Sequence, residues 1–428
     1  MHKLSNLVRR DPRKKISLIS AMLLTIVMAF NVYFFHIQSP MLDKSLSSTI
    51  AGWIMFLFLV SLFFLLLYTG NISTYRRIFF VSSALLLFPA FIAGMYETFG
   101  HMYLTEENVM NSSTSYCHIV TPMIILPYLF NKTIIFPAKI FESAASVYGM
   151  LIIWLLATLV SGKGFCSWIC FYGGWDDGFS RIRKKPLLKL NPENKKLRFF
   201  GFAMLAFVVL ASLFTLTVIY CEWLCPFKLI TEYAQVVDMK SFIAFTLFVL
   251  AFFGLVVVLP LLTKKRFQCL AFCPFGAFQA LLDRLSLYRV HIDPEKCTQC
   301  LRCISVCPTL ALSKEIILGK KTRPHLTCTK CGECFKACKS GAISYAFSLG
   351  KNRPASNPSS FVNKLKSNPT GRNKALIKIF SVVKELLSPQ SLFIFSSYTL
   401  GMIIMSAFAR STVQRTINLI LTGSFLLY

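Results

Sequence analysis

Long apolar runs separated by short polar segments dominate the first 262 residues of the chain. A run of about 18–22 apolar residues is long enough to cross the ~30 Å hydrocarbon core of a bilayer as a helix. The pattern predicts spans near 17–35, 50–69, 78–95, 143–161, 199–220, 242–262 and 391–409. The run 119–137 is different: Pro122, Pro127 and Pro137 punctuate it and Asn131-Lys132 interrupts it. It reads as a re-entrant or interfacial hairpin. The tail 411–428 carries Arg415, and the pattern does not decide whether it crosses. The fold class is therefore an α-helical polytopic membrane protein with about seven or eight spans.

Basic residues sort the loops. They precede residue 17 (Lys3, Arg9, Arg10, Arg13, Lys14, Lys15), recur at Arg76-Arg77, fill 181–198 and return at Lys264-Lys265-Arg266. With seven spans and a re-entrant 119–137, all four groups fall on one face, expected to be cytoplasmic. The other face then carries 36–49, 96–118 and 221–241, and 96–118 holds Glu97, Glu106 and Glu107 with no Lys or Arg. This describes a multi-pass protein of a bacterial-type inner membrane. The basic N-terminus, followed by a long apolar segment without a small-residue cleavage site, reads as an uncleaved anchor.

Composition agrees. Of 428 residues, 55% are hydrophobic and 41 are Phe, too apolar for a soluble chain of this size. A net charge of +28 would suggest nucleic acid in a soluble protein. Here the cations flank apolar runs, so they fix topology and meet anionic lipid, and no nucleic-acid partner is expected.

Fifteen cysteines change the picture. Residues 297–308 read CTQCLRCISVCP and residues 328–338 read CTKCGECFKAC, each with the spacing C-x2-C-x2-C-x3-C. This is the bacterial-type two-cluster ferredoxin signature. Three close cysteines wrap one corner of a cubane, and the fourth ligates the other cluster. The expected ligand sets are Cys297, Cys300, Cys303 and Cys338 for one [4Fe–4S] cluster, and Cys328, Cys331, Cys334 and Cys307 for the other. Zinc has no use for the third and fourth cysteines at this spacing. Lys339 stands where proline is usual, and Leu310 where glycine is common. The chain thus divides into N-terminal membrane helices with an outer loop (1–140), a cysteine-bearing membrane core (141–288), an inserted small α+β ferredoxin domain (289–347), a linker with an amphipathic segment (348–390) and a C-terminal membrane segment (391–428).

Three further pairs have the spacing C-x3-C: CSWIC at Cys166 and Cys170, CEWLC at Cys221 and Cys225, and CLAFC at Cys269 and Cys273. On a helix this spacing sets both sulfurs on one face. The topology puts Cys166, Cys170, Cys269 and Cys273 at the inner face, where they could share a third iron–sulfur cluster; free or transiently oxidised thiols are the alternative. It puts Cys221 and Cys225 at the outer face with Cys117. Those three, with His118 or His101, could hold an outer cluster or metal; a disulfide is the alternative there. Trp168, Trp175 and Trp223 beside the pairs read as an interfacial aromatic belt.

The stretch "GKGFCSWIC … KRFQCLAFCPFGAFQALLDR … CTQCLRCISVCP" resembles the NapH- and NosR-type membrane ferredoxins, over about 143–347. The chain departs from that pattern at Phe171, which replaces a proline, in its extra pair at Cys221 and in lacking a flavin-attachment segment. The resemblance implies an electron-transfer protein of oxidoreductase type, related to quinol dehydrogenases. It would relay electrons between the quinol pool or a cytoplasmic donor and a redox partner across the membrane. The alternative is a maturation factor that reduces a metal or thiol for a membrane or exported metalloenzyme. A 30 Å core is too wide for one tunnelling step, so cofactors near both faces are expected. If quinone binds, Glu97, His101 and Glu222 are candidates to handle its protons.

Overall fold

The computed structural model describes residues 16–39, 43–102, 117–140, 143–145, 147–231, 236, 238–348 and 371–427. The basic N-terminal segment, Glu106, Glu107 and most of the linker lie outside the described residues. Among the described residues, seven helices are long and apolar enough to cross a membrane: α1 (Leu18–Gln38), α2 (Leu46–Thr69), α3 (Ile72–Phe99), α5 (Val147–Trp168), α7 (Lys195–Thr215), α8 (Met239–Thr263) and α14 (Pro389–Thr422). Between α3 and α5 lies α4 (His118–Asn131), too short to cross. It leads to a hairpin of β1 (Ala138–Ile140) and β2 (Ser143–Ala145). Two return helices, α6 (Phe171–Ile182) and α9 (Pro274–Leu282), follow the first and third C-x3-C pairs.

Local chemistry sets several ends. Ser45 caps α2 by accepting from the Ser48 amide, and α2 stops at Gly70 in the left-handed conformation. Asp238 and Ser241 form a reciprocal capping box at the start of α8.

The polar unit is built on β3 (Tyr288–Ile292) and β4 (Ile343–Phe347). They pair antiparallel, from Tyr288 opposite Phe347 to Ile292 opposite Ile343. The short helices α10 (Arg302–Val306), α11 (Lys314–Leu318) and α12 (Glu333–Ala337) fill the segment between them.

This unit marks one side of the bundle. Ile72 at the start of α3 packs on Gly332. The Leu159 carbonyl near the end of α5 accepts from the Leu287 amide at 2.8 Å. The Arg266 amide after α8 donates to the Pro308 carbonyl at 2.9 Å. Phe393 at the start of α14 packs on Tyr345 with ring centroids 4.3 Å apart. The spans alternate accordingly, and α4 has both its flanks on the far side.

The last helix runs through Thr422, past the expected span 391–409 and into the tail that the pattern left undecided, with a π-helical turn at Met402–Ser406. It is wedged into the N-terminal bundle. Tyr398 hydroxyl donates to the Leu59 carbonyl at 2.8 Å, and Arg410 Nη2 donates to the Ser48 carbonyl at 2.9 Å. Arg415 makes a two-pronged ion pair with Glu97 near the far side. α13 (Gly371–Leu386) precedes it, and Glu385 there accepts from the Ser17 amide at 2.7 Å.

Candidate electron-transfer centres

In the polar unit, the loops that carry the cysteines repeat one backbone. Gln299 and Leu301 in the first run take positive φ, as do Lys330 and Gly332 in the second. Three residues beyond each fourth cysteine, Leu310 and Gly341 do so as well. Left-handed residues alternating with ordinary ones turn the amides of a short loop inward, where they can meet a multiply charged anion. One such cavity is lined by Cys307, Cys328, Cys331 and Cys334. A second is lined by Cys297, Cys300, Cys303 and Cys338. Each cavity thus draws three cysteines from one run and one from the other.

The donor chemistry fits iron–sulfur clusters. The cavities are lined by thiols, and the Ala311 amide donates to Cys307 Sγ at 3.2 Å. Burial pushes the Cys303 thiol up to about 11 and raises Cys328 as well. An empty cavity would keep both protonated, so metal binding has to convert them to thiolates.

The membrane core uses a different device. Each C-x3-C pair was expected on one helical face; instead each helix breaks between its cysteines. Cys166 lies in a one-turn helix, and Cys221 and Cys269 lie in wide π-type turns. The second cysteine is extended in all three, with ψ of 109° at Cys170 and 111° at Cys225 and Cys273. Proline explains two of them, because a residue preceding proline is pushed out of the helical region, and Pro274 then opens α9. Phe171 follows Cys170, which adopts the same backbone without that help. Gly173 and Gly276, each three residues beyond a second cysteine, let the return helix lie against the carbonyl of the first. A Cβ there would come within 2.5 Å of the Cys166 oxygen or 2.9 Å of the Cys269 oxygen.

These turns dip back into the bundle. From the side of the polar unit, the first and third pairs enter and α6 and α9 return. From the far side, Cys117 and the Cys221 pair enter. Phe227 packs against Phe252 at the middle of α8 and against Tyr172, with centroids 6.2 and 4.3 Å apart. The expected outer site is therefore not at the outer surface. Gln268 Nε2 donates to the hydroxyl of Tyr220 at 2.8 Å, which brings the neighbours of Cys269 and Cys221 into contact. The sequence pattern could not show this, because it assigns a loop to a face but not to a depth.

Cys166, Cys170, Cys269 and Cys273 are drawn together. Cys166 and Cys273 are both electrostatic neighbours of Cys170 and of Cys269. Cys225 in turn neighbours Cys273 and Cys117. His118 is not with Cys221 and Cys225 as expected. Its Nε2 lies 3.1 Å from Cys170 Sγ, and its ring is enclosed by Phe165, Phe171 and Phe275. Glu97 is committed to Arg415, and Glu222 Oε2 accepts from Thr217 at 3.4 Å.

Buried cations, which the sequence assigned to topology alone, join the two regions. Arg76 is fully buried. It donates to the Cys331 carbonyl at 3.0 Å, to the Ser167 carbonyl at 2.7 Å and to Asp177 at 2.8 Å. Burial works against ionisation of Asp177, but Arg76, Arg266, Arg77 and Arg181 together hold it well below the ordinary carboxylate range. Arg266, also fully buried, reaches Ser167 Oγ at 2.6 Å, the Cys166 carbonyl at 2.6 Å and Cys269 Sγ at 3.3 Å. Lys163 has Cys166, Cys269 and Cys328 among its electrostatic neighbours. Trp168 is no interfacial belt residue: it is fully buried and its Nε1 donates to the Lys330 carbonyl at 3.2 Å. The only sequence signal for this junction was an arginine in the first turns of an apolar helix, which topology had already explained.

A family model described as a 4Fe-4S binding domain matches three times, over 143–189, 197–241 and 245–292. Each match includes most or all of one span and one C-x3-C turn. A second model of the same description matches 290–313. Relatives match less than half of the chain. The ferredoxin-type protein NapH of Escherichia coli is 26% identical over 186 residues, 43% of this chain and 61% of its own length. Over this part of its length the chain is similar to the NapH-type membrane ferredoxins. The methylamine utilization ferredoxin-type protein MauN of Paracoccus denitrificans is 28% identical over 167 residues, 39% of this chain and 55% of that protein. A putative electron transport protein, YccM of Escherichia coli, is 24% identical over 165 residues, 37% of this chain and 45% of YccM. No solved structure matches. The matched models describe 4Fe-4S binding; Cys117, His118 and the first three spans lie outside the matched residues.

Proposed function

We propose that this ferredoxin carries electrons between a partner at the exposed edge of its polar unit and an acceptor or donor reached through the membrane. One [4Fe–4S] cluster is assigned to Cys297, Cys300, Cys303 and Cys338, a second to Cys328, Cys331, Cys334 and Cys307, and a third to Cys166, Cys170, Cys269 and Cys273. Each would supply a one-electron site whose potential is set by charge, hydrogen bonds and burial. Cys300, exposed, marks the entry edge, and the remaining ligands recede from solvent toward the bundle.

The observation that carries this reading is the junction between the polar unit and the membrane core. Arg76 bridges the carbonyls of Cys331 and Ser167, one residue from Cys166. The chain's own atoms thus run almost unbroken from one cysteine set to the next, in a place closed to water. Arg266 and Lys163 add positive charge beside the membrane set, which favours anionic occupants over neutral thiols. The arginines and lysines at 181–198 and 264–266 support a cytoplasmic polar unit. The partner is then a cytoplasmic redox protein, and the far side faces a second partner or quinone.

Anaerobically purified protein should contain about twelve irons for these three sites and show three reducible EPR signals. In proteoliposomes, reduction from the polar-unit side should reach all three. Reduction confined to the polar unit would sink the relay.

A further inference from the structure

We propose that His118 donates a hydrogen bond from Nε2 to the Cys170 thiolate and so raises the potential of the membrane cluster, as a positioning residue and not as a ligand. This rests on the reading that Cys166, Cys170, Cys269 and Cys273 share a cluster, and it adds what sets the potential there.

His118 reaches Cys170 from another part of the chain. It opens α4, which enters from the far side, whereas Cys170 ends a turn that enters from the side of the polar unit. Its Nε2 lies 3.1 Å from Cys170 Sγ, and both residues are buried. Phe275, Phe165, Phe171 and Tyr172 enclose the ring, with centroids 4.8, 5.2, 5.4 and 5.7 Å away, so packing holds it toward the sulfur. Phe165 precedes Cys166, Phe275 follows Cys273 by two residues, and their own rings are 5.2 Å apart. Arg266 Nη2 lies 3.3 Å from Cys269 Sγ and 2.6 Å from the Cys166 carbonyl. These contacts gather the segments that carry the set between His118 and Arg266.

The role follows from where the proton must be. A thiolate bound to iron has none, so the hydrogen between the two atoms belongs to Nε2. A nitrogen and a sulfur bound tetrahedrally to one metal ion stand about 3.5 Å apart, given bonds of about 2.0 and 2.3 Å. The observed 3.1 Å is closer, and four cysteines already fill the four corners. An N–H aimed at a ligand sulfur favours the reduced cluster, which carries one more negative charge, and it acts most strongly where water is excluded. Arg266 treats Cys269 in the same way from within the matched residues, whereas His118 comes from outside them. A higher potential at this set favours electron flow from the polar unit into the membrane.

The test uses full-length protein purified anaerobically in detergent, with redox titration followed by EPR. His118→Phe keeps an aromatic ring in the enclosure and removes the donor. Iron content should hold, while reduction of the membrane cluster should become about tenfold less favourable, a downward shift of about 59 mV for a one-electron couple. The polar-unit clusters should keep their potentials. His118→Gln, which retains an N–H donor, should recover part of the shift. Pulsed EPR of wild-type protein carrying isotope-labelled histidine should show one weakly coupled nitrogen at the reduced membrane cluster. An unchanged potential in His118→Phe would overturn the hydrogen bond, as would loss of the cluster's irons in both variants or the strong coupling of a metal-bound nitrogen. Wild-type protein with the ferredoxin signals but no third cluster would instead overturn the four-cysteine reading, so the two failures are distinguishable.

Discussion

The polar unit and the membrane core gather cysteines in opposite ways. In the polar unit, all eight cysteines lie in two loops of eleven residues each, and left-handed residues at fixed offsets shape each loop. The cage is made locally and the strand pair closes it. In the membrane core no loop holds more than two cysteines, and the sets form only when spans far apart in sequence pack together. The cage there is a product of the bundle. A local cage should need its metal to fold, whereas a cage made by a bundle should outlast its metal.

The largest effect expected from this contrast is on folding. Cys331→Ala should cost the polar unit its cluster and its fold, because the ligands organise a small core. Circular dichroism would show loss of the strand pair, and limited proteolysis would cut between 288 and 348. Cys273→Ala should lose iron but leave the helical signal and proteolytic pattern of the bundle intact. Equal unfolding in both would erase the distinction.

Next is the junction. Arg76→Leu leaves Asp177 charged, buried and stripped of its shortest ion pair. Removing one partner of a buried pair costs about 3–5 kcal/mol. The polar unit should detach from the bundle, read as new protease sensitivity near residue 288, while its own clusters remain. Arg76→Leu with Asp177→Asn should recover part of the loss.

A smaller effect concerns potentials. Asp283 accepts from Lys330 Nζ and the Lys163 amide at 2.8 and 2.7 Å. Asp283 and Lys163 are both charged neighbours of Cys166, and Asp283 also of Cys328. Asp283→Asn should shift the potentials of both neighbouring clusters upward, and Lys163→Met should shift them downward. Redox titration followed by EPR checks both signs. Movement of one cluster alone would mean that the two regions do not share this field.

The smallest effect is in the loops. Gly341→Ala meets no atom but must adopt a φ of +68°, so it should destabilise the polar unit by about 1 kcal/mol. Leu310→Gly, at a φ of +50°, relieves similar strain, but the Leu310 side chain is fully buried, so the lost packing should outweigh that relief and the variant should also be destabilised. Thermal unfolding of the holo protein measures both.

The same contrast explains what could be read before the structure. The spans and the two ferredoxin runs were legible because length, apolarity and spacing are local properties. Even Leu310 was visible as a departure, since it stands where its counterpart, Gly341, obeys the local rule. Depth was not legible. CEWLC follows an apolar run and precedes a polar loop whether it rests at the surface or turns inward, and only the packing of Phe227 on Phe252 tells the two apart. His118 was singled out for its neighbour in sequence, but its partner is Cys170, fifty-two residues away. Arg76 satisfied a topological rule, which concealed its structural contacts.

The helix that begins at Pro389 is synthesised after every cysteine in the chain, yet it supplies Phe393 against Tyr345 and Tyr398 against Leu59. Until it emerges from the ribosome, a groove remains open between the N-terminal spans and the polar unit. Any iron that enters through that groove would have to arrive before this last segment docks.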